Sequence, residues 1–185
     1  MRVEVHVHGN VLLQPGIILA QLDEALRPWL DYFEVETIAQ AKSANQDEPG
    51  IVFDPKTNSL TICWTGEADR NFRQLLEPAL YALCPFTQAA TEIEVSYYYL
   101  EDEQEEFGVV FVGPSAEAIH DAQRKRMTED VAHLLARQFD QGAIEEVVTL
   151  VNQLFARSWA ERAAAMESGF ASGHGTVPPE RKYLH

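Results

Sequence analysis

The sequence predicts an α+β fold: a mixed or antiparallel sheet with helices on one face, followed by a helical hairpin. Three observations predict it. Within residues 1–113, period-2 stretches such as "VEVHV" and "EIEVSYYY" alternate with stretches of helical spacing. Turn chemistry such as "DPKTN" joins neighbouring strand patterns into hairpins. From Pro114 onward only helical spacing persists, in two long segments joined at "DQG". Hydrophobic content of 46% beside 23% charged residues excludes wholesale disorder, and a chain of 185 residues buries ~70% of its unfolded surface, enough for an ordinary core.

In order along the chain, Val3, Val5 and Val7 alternate with Glu4, His6 and His8, giving a half-buried first strand that Gly9-Asn10 ends. A helical pattern from about Ile17 to Phe33 puts Ile18, Leu22, Ala25, Leu26, Trp29 and Phe33 on one face. "FEVETIAQA" reads as a second strand and "KSANQDEPG" as a polar loop. "IVF", "DPKTN" and "SLTICWT" read as a hairpin with Leu60, Ile62 and Trp64 sharing a face. Asp69 is the expected N-cap of a helix carrying Phe72, Leu75, Leu76, Ala79, Leu80 and Leu83, which Cys84-Pro85 stops.

"EIEVSYYYL" and "FGVVFVG" read as a second hairpin around the acidic run Glu101, Asp102, Glu103, Glu105 and Glu106, a solvated tip. Parity places Tyr97 and Tyr99 in the core and Tyr98 on the other face, covering a helix or lining a pocket. Two helices follow, about Ser115 to Phe139 with Ser115 as N-cap, and about Ala143 to Met166. On the second, Ile144, Val147, Val148, Val151, Leu154, Phe155 and Trp159 form a stripe that must bury against something. The expected organisation is a sheet domain over 1–113, a hairpin over 114–167 packed on it or on a partner subunit, and a flexible tail over 168–185.

Leu26, Pro28 and Leu30 in "ALRPWL" match Leu76, Pro78 and Leu80 in "LLEPAL" at a spacing of 50 residues. Two βαβ-type halves of this kind resemble the ferredoxin-like two-layer outline. Both prolines are expected at kinks or last turns, because mid-helix each deletes a hydrogen bond.

The charge restricts function. Residues 1–113 hold six Lys/Arg and nineteen Asp/Glu, net -13, and the remainder eight and ten, net -2, which together make the -15 of the chain. Such a surface repels nucleic-acid phosphates and anionic membranes. Two cysteines among apolar neighbours, Cys63 and Cys84, read as buried free thiols, and residues 1–30 show no leader pattern, so a soluble cytoplasmic protein is expected. "RKR" at Arg124 to Arg126 is the basic cluster, read as a solvated helix face. No phosphate-binding glycine loop, nucleophile elbow or paired-cysteine zinc motif occurs.

The pair His6 and His8 stands apart. Two positions apart on a strand, they point to one face roughly 7 Å from each other and can reach one ion. The pair resembles the opening ligands of amidohydrolase-type and PHP-type metal hydrolases. That resemblance covers about eight residues and implies two further His and an Asp at later strand ends, within a barrel of at least ~200 residues. His120 and His133 fall instead in helical sequence, and His174 and His185 in the tail. "HVHGNVLLQPG" also lacks the glutamate a cupin-like site needs. The reading from composition is therefore a non-enzymatic acidic binding or scaffolding module, a homodimer or partner of another protein, without a cofactor. The alternative is a small-molecule enzyme or metal-binding protein holding a divalent metal at His6 and His8, with Glu4 and Tyr98 as neighbouring ligand-binding residues.

Overall fold

In the first strand the period-2 alternation divides the side chains between two environments. In the computed structural model, which describes residues 2–69, 71–99 and 104–171 (those after 165 by backbone alone), β1 spans Val3–Leu12. Val3, Val5, Val7 and Val11 are buried, while Glu4, His6 and His8 lie half-buried on the opposite face. β1 is the middle strand of five, in the order β2-β3-β1-β4-β5, with β2 at Gly50–Asp54, β3 at Ser59–Ala68, β4 at Thr91–Tyr99 and β5 at Gln104–Val112. Every neighbouring pair is antiparallel. The sheet is thus antiparallel rather than mixed, with helices against one face and a pair of helices at the C-terminal end.

β3 and β4 both run against β1, so they are parallel to each other with β1 between them. The helix α3, Phe72–Tyr81, makes the crossover, giving a split βαβ unit. The two βαβ halves of the ferredoxin-like expectation are not formed, because "FEVET" is not a strand. It is a helix terminus. The expected helix over Ile17 to Phe33 is two pieces, α1 (Leu19–Ala25) and α2 (Arg27–Tyr32), which meet at Leu26 because Pro28 has no N–H to offer the preceding turn. After α2, Glu34 adopts φ 54°, its N–H reaches the Asp31 carbonyl at 3.1 Å, and the Val35 N–H reaches the Leu30 carbonyl at 3.1 Å. This pair of bonds is a Schellman motif built on a non-glycine residue. Pro78, by contrast, lies inside α3, so the two Leu-Pro-Leu stretches occupy different helical positions.

The expected cap at Asp69 is also displaced. α3 begins at Phe72 behind Asn71, and the Asp69 carboxylate accepts the Asn71 N–H at 2.7 Å. Between α2 and β2 the chain makes a 3-10 turn at Ile38–Gln40, pinned where the buried Asp23 carboxylate accepts the Ile38 N–H at 2.8 Å. The core is an aromatic cluster: Trp29 and Trp64 meet edge to face at 5.1 Å, and Phe33 and Phe72 at 5.3 Å. Each fully buried side chain of this kind contributes about 1.5–3 kcal/mol. Gly66 lies under the Trp64 ring, where an added Cβ would come within 2.4 Å of it.

The chain divides into two compact units, one through Lys125 and one from Arg126. α4 spans Ala116–Leu135, with the Ser115 hydroxyl accepting the Ala118 N–H at 3.1 Å, and α5 spans Gln141–Ala171, with the Asp140 carboxylate accepting the Ala143 N–H at 3.0 Å. Of the α5 stripe, Ile144 is buried, Val148, Val151, Phe155 and Trp159 are half-buried, and Val147 and Leu154 are exposed. α5 thus runs into the region expected to be a tail. Residues 172–185 and the tip residues 100–103 lie outside the described residues, while Glu105 and Glu106 belong to β5 rather than to a turn. Cys63 and Cys84 are free and half-exposed, not buried. Among the described residues no helix is long and apolar enough to cross a membrane.

A candidate metal centre

The face of the sheet opposite the helices carries Glu4, His6 and His8 from β1, Cys63 and Thr65 from β3, and Ser96 and Tyr98 from β4. Pairing register sets their neighbours: His6 lies between Thr65 and Ser96, and His8 between Cys63 and Glu94. A loop over residues 41–49 closes on this face. β2 begins only at Gly50, so the Thr65 backbone has no strand partner on that side. The loop supplies one instead: the Ala44 N–H donates to the Thr65 carbonyl at 2.8 Å, and the Thr65 N–H donates to the Ser43 hydroxyl at 2.9 Å. Gly50, at φ 79°, makes the turn into β2, where a Cβ would approach the Ala41 carbonyl within 2.9 Å. The loop is anchored where the Trp64 indole N–H donates to the Lys42 carbonyl at 3.1 Å.

Closing the loop sets the Glu48 carboxylate beside the histidines. The ligand atoms of His6, His8 and Glu48 all lie within 4.8 Å of one another. Hydrogen bonds orient His6 and Glu48. Glu48 accepts from the Ser43 hydroxyl at 2.5 Å, from the Asn45 amide at 3.1 Å and from the Thr65 hydroxyl at 3.2 Å. His6 Nε2 meets the Glu4 carboxylate at 2.7 Å, and His6 Nδ1 lies 3.2 Å from the Thr65 hydroxyl. In a neutral ring whose Nε2–H donates to Glu4, Nδ1 carries the lone pair, and it lies beside the Thr65 hydroxyl that also reaches Glu48. A carboxylate behind a ligand histidine is the arrangement that fixes tautomer and raises basicity in metal sites.

Burial works against the Glu48 carboxylate, but the bonds from Ser43, Asn45 and Thr65 and the nearby His8 outweigh it and hold its pKa below the usual range. It is an anion at neutral pH, ready to ligate. Burial, and secondarily the Glu48 charge, push the Cys63 thiol upward. Tyr98 stands edge-on to His6 at 4.9 Å, while its hydroxyl is engaged by Glu105, which raises its pKa above that of a free phenol. Tyr98 is therefore a side wall of the cluster and covers no helix through this contact.

Of the residues singled out from sequence, Glu4, His6, His8 and Tyr98 fall together, whereas His120 lies in α4. Glu48, Thr65, Ser43 and Asn45 were not singled out. The available signal was the "SANQDE" run, whose short polar residues favour a loop that bonds to its own backbone. Around tetrahedral zinc, donors lie about 3.3 Å apart, so the three ligand atoms need a further closure of about 1–1.5 Å.

Residues 3–156 match a family whose description reads "Family of unknown function (DUF6806)". No curated protein and no solved structure matches the chain.

Proposed function

The chain belongs to the DUF6806 family, whose function is unknown, and we propose that this protein binds a divalent transition metal through His6, His8 and Glu48. The observation that carries the reading is the convergence of two imidazoles and an ionised carboxylate within 4.8 Å, with His6 and Glu48 positioned by hydrogen-bond partners. Imidazole donors favour zinc, copper, iron or nickel over magnesium and calcium, which take oxygen ligands. Three protein ligands leave at least one position for water or a small ligand. The binding or scaffolding role that composition favours has no comparable set of placed side chains behind it.

The test is metal content by elemental analysis of untagged protein, after loading with zinc and gel filtration. About one zinc per chain is expected, falling to background in His6→Ala/His8→Ala and falling at least tenfold in affinity in Glu4→Gln, as for other carboxylates behind ligand histidines. Zinc at background in the wild-type protein would sink the proposal.

A further inference from the structure

We infer that Cys63 supplies a fourth, sulfur ligand to this centre and so selects a soft or borderline ion. The inference rests on the metal-binding reading above and specifies it further. His6 and His8 come from β1, and Glu48 comes from the loop leading into β2. The strand between these two sources is β3, so an ion drawn to all three ligands is held over β3. Two β3 side chains on this face lie there, Thr65 and Cys63.

Thr65 is already shared between His6 Nδ1 and Glu48, at 3.2 Å from each. Cys63 pairs directly with His8 on one side and with Gly50 on the other. Directly paired residues on one sheet face have Cβ atoms about 4.5–5.5 Å apart, so Cys63 and His8 rise from neighbouring positions; the sulfur stands outside the group of ligand atoms within 4.8 Å and turns toward it on binding. Gly50 puts no side chain on the far side of Cys63, and the backbone of residues 41–43, in the loop that carries Glu48, stands where its Cβ would lie. The thiol is half-exposed and forms no disulfide. On binding, the thiol gives its proton to solvent and its sulfur forms the metal bond, as every thiolate ligand does. A donor set of two imidazoles, one carboxylate and one thiolate disfavours magnesium, calcium and manganese and suits zinc.

Cobalt(II) titration of the full-length protein, followed by absorption spectroscopy, tests both levels separately. Visible ligand-field bands report binding at the centre, and an intense near-ultraviolet sulfur-to-cobalt band reports the thiolate. The expected result is both bands in the wild-type protein and in Cys84→Ser, whose thiol packs against the core instead. In Cys63→Ser and Cys63→Ala the near-ultraviolet band is lost while visible bands remain. Visible bands without a near-ultraviolet band in the wild-type protein would overturn the role of Cys63 and leave the metal centre standing. No bands at all would overturn both.

Discussion

Replacing Gly66 by alanine tests how the core holds the candidate centre. The added Cβ would sit 2.4 Å from both Cη2 and Cζ2 of Trp64. Ordinary carbon contacts are about 3.5–4.0 Å, so the indole must move by about 1 Å or more. It has little room, because it is 2% exposed and packs against Trp29, Phe33 and Phe72. Overpacking of this kind costs about 1–3 kcal/mol, and losing the bond from the Trp64 N–H to the Lys42 carbonyl adds about 0.5–1.5 kcal/mol. The expected destabilisation is about 2–4 kcal/mol, a fall in the thermal midpoint of roughly 5–15 °C for a chain of this size. Urea denaturation followed by near-ultraviolet circular dichroism measures it, with Gly108→Ala as control, since a Cβ there meets nothing closer than 3.9 Å. Lys42 anchors the loop that carries Glu48, so the zinc affinity proposed for the centre should fall together with stability. A loss below about 0.5 kcal/mol, or unchanged zinc affinity in a destabilised variant, would refute the reasoning.

Two further outcomes follow from the same contacts. The Glu48 carboxyl is depressed in the folded state, so its contribution to stability is fully present above the unfolded value of about 4.3 and is lost as pH falls through the folded value. In metal-free protein, the stability gap between wild type and Glu48→Gln should therefore hold steady at neutral pH and narrow below pH ~4; a gap that stays constant into acid would contradict this sign. Asp23→Ala leaves the buried Ile38 N–H without its acceptor and should cost about 1–3 kcal/mol in urea, whereas Asp23→Asn keeps an oxygen there and should recover most of it. Equal losses in the two variants would show that the charge, not the acceptor, matters.

Much of the candidate centre is legible in the first eight residues. Strict alternation puts Glu4, His6 and His8 on one face, and the same parity puts Tyr98 there and Tyr97 in the core. Glu48 is not legible, because a strand's period says nothing about which loop folds over its face. Its placement depends on Ser43 and Ala44 filling the vacant edge of β3 and on the turn at Gly50. The ferredoxin-like reading failed at "FEVET" for a related reason. Phe33 and Val35 do alternate, but both pack against the core from a helix terminus, where Glu34 takes the left-handed conformation that sequence assigns to glycine. Likewise Pro28, in the first turn of α2, and Pro78, inside α3, look alike in sequence and differ in helical position.

The central place of β1 also has a consequence during synthesis. Val3 pairs with Ala68 and with Tyr99, which follow it by 65 and 96 positions. At about 5–20 residues per second, β1 waits roughly 3–13 s for its first neighbour and roughly 5–19 s for its second. Throughout that interval a valine-rich strand emerges with both edges unpaired, the state most prone to pairing with other chains. Glu4, His6 and His8 alternate with the valines and make its other face polar while it waits. The two histidines proposed to hold the ion in the finished protein thus belong to the polar face of the unfinished strand.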